Sequence, residues 1–292
     1  MKGAAMQRLS TAPLAAQAAE GSSTEERIAP QQLMLAFLGA FVLDDDRRRY
    51  LTAGVFIDIF LCLKVSEAVT RATLNRMVRT GLLHRAQTGR IASFGITENG
   101  QALLRQGRER VASTGPFTPV DDEWTLLSYS IPEAQRDLRH QLRSRLQWAG
   151  FGRLRDGLWI APGTKDIREV LGQSEVANVV TVAFAGHPIG GTSPHDFVRS
   201  AWDLELIESE HHRFIASWTD LSATANPVAS FTALGADWLR LLRVDPGLPE
   251  HCLPTDWPAE RSVAVHENAV AVLAVAADET LEQIIRSRAG RK

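Results

Sequence analysis

An α+β chain in three parts is predicted, and three observations carry the expectation. Positive charge collects in SEAVTRATLNRMVRTGLLHRAQTGRIASFGITENG (residues 66–100), although the 292-residue chain has a formal net charge of −2. Between residues 124 and 187, short apolar runs alternate with helical periodicity in the order βαββαβ. From residue 193 onward the pattern is helical almost throughout. A hydrophobic content of 45% is enough to bury a sizeable core, and length alone suggests roughly two domains. The expected boundaries are a disordered tail over 1–29, a first domain over 30–112, a linker over 113–123, a second domain over 124–187 and a helical domain over 193–287.

The tail, rich in Ala, Ser and Thr, is too weakly apolar for a secretory segment or an anchor. QQLMLAFLGAFVL (31–43) spaces Leu33, Phe37 and Phe41 for a helix. DDDRRR reads as a solvated loop, and LTAGVFIDIFLCLKV (51–65) as a second helix. Ser66 suits an N-cap, because its oxygen can accept from an orphan backbone N–H. The third helix runs from about Glu67 to Thr80 and stops at Gly81, where a left-handed residue costs little. Two short runs about QTGR then form a β-hairpin, with Ala92, Phe94 and Ile96 on one face. A fourth helix begins at Thr97.

Helix, helix, capped helix and basic hairpin make a winged helix-turn-helix. On the capped helix Thr70, Leu74, Met77 and Val78 face inward. Ser66, Ala68, Arg71, Ala72, Asn75, Arg76 and Arg79 are the candidate DNA-contacting residues. Arg can read guanine and Asn adenine in the major groove, and small Ala side chains permit close approach. Arg85 and Arg90, on the hairpin, are candidates for phosphate or minor-groove contact. An arginine-bearing helix face is by itself commonly just solvated; the order of elements around this one raises it to a DNA-binding candidate. The basic balance of residues 1–119 against the acidic balance of 187–292 agrees with one end meeting a polyanion.

STGPFTPVDDEW (113–124) has linker composition. WTLLSYSI (124–131) is a strand, and Pro132 can open the next helix. That helix places Leu138, Leu142 and Leu146 on one face and Arg136, Arg139 and Arg143 outside. Gly150 ends it. FGRLRDGLWIAP gives two strands about RDG, Thr164 can cap a short helix, and ANVVTVAFAG (177–186) is a buried strand. The order βαββαβ predicts a ferredoxin-like domain. Trp124, Trp148 and Trp159 are expected in its core. The remainder gives helices broken by the Pro-rich loop PGLPEHCLPTDWP.

Other chemistry is poorly supported. Two cysteines give no disulfide framework and fit a reducing cytoplasm. No run of about 20 apolar residues suggests a membrane span. Glu208 and His212 are one helical turn apart but have no third metal ligand at sensible spacing. HPIGGTSPH lacks the lysine of a phosphate loop, and no G-x-S-x-G occurs. No catalytic residue, metal or cofactor is expected.

The chain resembles the PaaX family of transcriptional regulators, repressors of phenylacetate catabolism genes and their relatives. SEAVTRATLNRMVRTGLL, WTLLSYSIPEAQRDLRHQLRSRLQWAGFGRLRDGLWIAP, AWDLELIESEHHRFIASW and LLRVDPGLPEHCLPTDWP carry the likeness, over about residues 31–287. The middle segment and the Pro-rich loop are its specific parts. The return strand IASFGITENG lacks the aromatic pair that family wings often carry. The resemblance implies an N-terminal winged helix, a middle domain like the small CRISPR-associated ferredoxin-like nucleases, and a helical C-terminal domain. It also implies a homodimer that binds a double-stranded operator and is released by an aromatic acyl-CoA. Trp202, Trp218 and Trp257, with Arg213 as a basic partner, are candidates to line the effector pocket. The related nucleases hold metal with an Asp at the end of the first strand; here that edge reads LLSYSIP, with no carboxylate before Glu133. The alternatives are a protein-interaction module on the same fold and, last, a metal-dependent nuclease.

Overall fold

The structure, a computed structural model, describes residues 28–89, 91–112, 115–172, 181–191, 193–221 and 226–290. The tail expected over 1–29 falls outside the described residues as far as residue 27. So do Arg90, the first two linker positions and the start of the strand expected from 177. The chain mixes helices with two antiparallel sheets, an α+β arrangement.

In the N-terminal unit, α1 (Pro30–Phe41) starts on a proline, tolerated because the first turn leaves its N–H unbonded anyway. One buried face was expected; instead Leu33 through Leu38 are all buried. A helix apolar all round needs neighbours on every side. One side meets α2 (Ala53–Cys62), where Phe37 lies edge-on to Phe56 and Phe60 at 5.6 and 6.5 Å. The other meets α9 (Pro227–Val244), where Phe41 lies 5.6 Å from Phe231. The first turn of the expected second helix is a short strand, β1 (Leu51–Thr52). It pairs with β3 (Ile91–Ile96), which pairs in turn with β2 (Leu83–Thr88), giving the order β1-β3-β2. Between them runs α3 (Glu67–Arg79), and α4 (Glu98–Val111) follows, capped by Thr97 Oγ1 accepting from Gly100 N–H.

The middle unit is β4 (Trp124–Tyr129), α5 (Arg136–Trp148), β5 (Gly152–Arg155), β6 (Leu158–Pro162), α6 (Ile167–Leu171) and β7 (Thr181–Gly186). The antiparallel order is β5-β6-β4-β7. Pro132 precedes a single 3-10 turn rather than opening α5. Asp166, not Thr164, caps α6; its carboxylate accepts from Arg168 and Glu169 N–H. One sheet face packs Leu127, Tyr129, Trp159 and Ala161 on Leu142 and Leu146 of α5. The other packs Trp124 and Ile160 on α7 (Pro194–Ala201) through Phe197 and Val198. The three tryptophans expected in one core are therefore separated. Trp159 is in it, Trp124 is on the opposite face, and Trp148 ends α5 with the guanidiniums of Arg110 and Arg243 each 4.9 Å from its ring.

Helices α8 (Leu204–Trp218), α9 and α10 (Ala259–Ala289) form the C-terminal unit. Its core gathers Phe214, Trp218, Leu234, Trp238, Leu241 and Leu273. A fully buried His211 sits inside, with Nδ1 2.8 Å from Ser262 Oγ and Nε2 2.8 Å from Asp245 Oδ2. A neutral imidazole matches both partners when Nε2–H donates to Asp245 and Nδ1 accepts from Ser262. These are the residue types of a hydrolytic triad, but Ser262 and His211 are both 0% exposed. No substrate can reach the hydroxyl, so the trio is a core network.

The 31 residues of α10 span about 46 Å at 1.5 Å per residue. Ala269 and Leu273 belong to the C-terminal core, whereas Ala277 and Leu281 belong to the N-terminal one. The end of α10 is pinned by charge. Arg48, from the run expected to be solvated, is 3% exposed and bridges Asp278 at 2.6 Å and Glu282 at 2.8 Å. Arg288 Nε donates to Asp58 of α2 at 2.7 Å.

Candidate nucleic-acid interface

The stretch 66–100 folds around α3. Ser66 Oγ accepts from Val69 N–H, and the hydroxyls of Thr70 and Thr73 turn back onto the carbonyls of Ser66 and Val69. Those bonds satisfy two hydroxyls on the face that must be dry, and Thr70, Thr73, Leu74 and Met77 are buried there. Val78, expected inward, is half-buried. The helix stops at Gly81, whose φ of 74° is the left-handed conformation that glycine adopts without penalty. Thr97 Oγ1 then donates to Gly81 and lies within bonding distance of Leu82 O, fastening the end of α3 to the start of α4. Gly100 fits against this junction because a Cβ there would lie 2.3 Å from Leu82 O.

Ser66, the N-cap, is exposed, and so are Ala68, Arg71, Ala72, Asn75, Arg76 and Arg79, which share the side of α3 opposite Leu74 and Met77. Arg71 is not isolated. Its guanidinium pairs with Glu67 at 2.8 Å, one turn earlier, with both side chains 55% exposed. Arg85 is exposed on β2, and Arg90 lies outside the described residues. The hairpin turns at Gly89, with φ of 61°. At the other end of the hairpin His84, paired with Gly95, has its Nε2 2.7 Å from the hydroxyl of Tyr50, which is 44% exposed. This surface offers guanidinium forks, an amide and small side chains, which suit phosphate oxygens and the edges of bases.

Of the four residues expected around an effector, Arg213 and Trp218 meet at one carboxylate. Arg213 is held by Glu210 and Asp237, each at 3.0 Å, and Trp218 Nε1–H donates to the same Asp237. Trp257 lies 6.1 Å from His211, and Trp202 lies apart, 6.3 Å from Trp124. Glu208 and His212 come within 3.7 Å of each other. Among the described residues no group of three or more His, Cys, Asp or Glu could hold a metal ion. None of their helices is long and apolar enough to cross a membrane.

Sequence reasoning missed the ion pairs that hold α10 against α2 and the turn at Arg48. No signal of periodicity could reveal them, since the partners lie 230 or more positions apart. The Glu67–Arg71 pair, by contrast, has the i,i+4 spacing that a sequence shows.

Residues 118–198 match the family model described as the PaaX protein central Cas2-like domain, and residues 202–283 match that of the PaaX-like protein C-terminal domain. Among solved structures, the chain is similar to the uncharacterized protein Rv0674 from Mycobacterium tuberculosis. The identity is 25% and the TM-score 0.55, over 87% of this chain and 99% of that one. No curated protein matches it.

Proposed function

The chain belongs to the PaaX family, and on that premise we propose that it is a DNA-binding transcriptional regulator. Its specific form is a cytoplasmic repressor of an aromatic-compound catabolic operon, released from its operator by an aromatic acyl-CoA or related ligand. In this reading residues 30–112 are a winged helix-turn-helix with α3 as the reading helix and β2–β3 as the wing. Residues 124–187 are a ferredoxin-like domain, and residues 193–287 serve dimerisation and effector sensing.

The observation that carries the proposal is the exposed face of α3. Arg71, Asn75, Arg76 and Arg79 project from a helix whose other face is sealed in the core, next to a two-stranded hairpin carrying Arg85. The strand order β5-β6-β4-β7 supports the ferredoxin-like reading. A regulator that reads two half-sites needs a dimer. Support for one comes from apolar side chains left exposed on α8 and α10, Leu206 at 50%, Val272 at 55% and Val275 at 69%.

The test is a band shift on the DNA upstream of the protein's own gene, with and without Mg²⁺. Retardation without cleavage is expected, and Arg76→Ala and Arg79→Ala should each flatten the salt dependence of binding by about one unit. Arg136→Ala, on the exposed side of α5, should leave it unchanged. Cleavage in Mg²⁺ would favour a nuclease, and neither retardation nor cleavage a protein-interaction module.

A further inference from the structure

A cleft of about 730 Å³ lies where the end of α5 and the start of β5 meet the end of α7, the start of α8 and the end of α9. That volume is in the range of small-molecule sites. Three tryptophans line it, Trp148, Trp159 and Trp202, with three arginines, Arg143, Arg153 and Arg243. Gly152 is what lets Trp202 lie there, because a Cβ on residue 152 would come within 2.5 Å of the indole.

Two donors of the lining have no acceptor. Trp159 is 2% exposed, and its indole N–H meets no acceptor. The Nε–H of Arg243 is buried and likewise unmatched. A buried donor without a partner costs on the order of 1–3 kcal/mol, so two along one cleft call for an explanation. Two acidic groups lie near the cleft, and one of them already pairs with two of its arginines at the exposed edge. Asp203 accepts from Leu206 N–H as the cap of α8. Asp156, 87% exposed at the rim, is shared between Arg143 at 3.7 Å and Arg153 at 3.2 Å. Arg110 adds a second guanidinium over Trp148 while donating to the carbonyls of Trp148 and Leu242 at 2.6 Å. Burial, together with Arg240, lowers the pKa of Arg243, as expected of a cation short of counter-charge.

We propose that this cleft binds an organic anion with a planar apolar body, its oxygens accepting from Trp159 N–H and the arginines and its ring lying against Trp202. The proposal rests on reading the protein as a ligand-responsive regulator, and the cleft shares Trp202 with the residues expected around the effector. It also supplies a route to the DNA-binding unit. Arg243 closes α9, while Val228 and Ala236 of the same helix sit in the core beneath α1.

The experiment follows the indole N–H signals of the full chain by ¹H–¹⁵N NMR, assigned by Trp→Phe variants, without DNA. The probes are 1-naphthoate, 1-naphthyl phosphate and the neutral 1-naphthalenemethanol. Saturable shifts of Trp148, Trp159 and Trp202 are expected with at least one anion, which should bind at least tenfold tighter than the alcohol. Trp218 and Trp238 should not move. Arg243→Gln and the exposed Arg153→Gln should each weaken anion binding threefold or more; the second guards against misfolding of the first. No saturable shift with either anion, equal binding of the alcohol, or shifts confined to Trp218 and Trp238 would overturn the proposal. Anion binding without band-shift retardation would leave the cleft standing and sink the regulator reading. Retardation without these shifts would do the reverse.

Discussion

Arg48 joins the N-terminal unit to α10, and replacing it by methionine tests whether that joint supports the fold. The side chain is 3% exposed and makes two close ion pairs, to Asp278, which is 55% exposed, and to Glu282, which is 28% exposed. Burial opposes its charge, and the hydrogen bonds it donates to Asp278 and Glu282 outweigh that opposition, holding its pKa above the usual arginine value. Breaking a fully buried pair costs about 3–5 kcal/mol because the abandoned partner stays desolvated. Here both carboxylates can regain water, and methionine keeps much of the buried stem, so roughly 2 kcal/mol is expected. In a domain of this size that corresponds to a melting point lowered by about 4–8 °C. Urea and thermal denaturation followed by circular dichroism would measure it. Arg47→Met is the control, since Arg47 is 77% exposed and pairs only locally with Asp45; its midpoint should not move. If Arg48→Met shifts the midpoint no more than Arg47→Met, α10 is not held by this pair and the account of the joint is wrong.

Three further outcomes are expected. Glu67→Gln frees Arg71 from its 2.8 Å partner and removes a negative charge from the reading face; it should tighten operator binding, and weaker binding in a band shift would mean the pair positions Arg71 instead. His211→Ala strands the buried Asp245 and Ser262 and should cost on the order of 3 kcal/mol in urea unfolding; a loss below about 1 kcal/mol would show that the network is dispensable. His266 stacks on Trp238 at 4.1 Å, and burial lowers its pKa to about 4. Its neutral form is the folded one, so its contribution is complete above pH 6.5 and is lost as pH falls toward 4, by roughly 2–3 kcal/mol. His266→Phe should flatten the stability profile across that window, and an unchanged slope would refute the assignment.

The sequence by itself determined the features that neighbours along the chain dictate. The Ser66 cap, the stop at Gly81, the outward set on α3 and the βαββαβ order all depend on residues a few positions apart, and all were legible. So was the α+β class. Helical and strand periods also fixed which face of α5 would be apolar, and Leu142 and Leu146 are buried there. Where two local signals compete, the reading drifted by a few residues, as at Leu51, whose pairing with Phe94 overrides helix propensity. Only the tertiary structure decided what covers α1, why Arg48 is buried, and that Trp148, Trp159 and Trp202 border one cleft. A period of 3.6 tells that a face is apolar but not which distant face will meet it. Charge runs read the same whether they end in water or against a helix 230 residues later. Those choices are made by packing and desolvation across the assembled elements, which no short window of sequence contains.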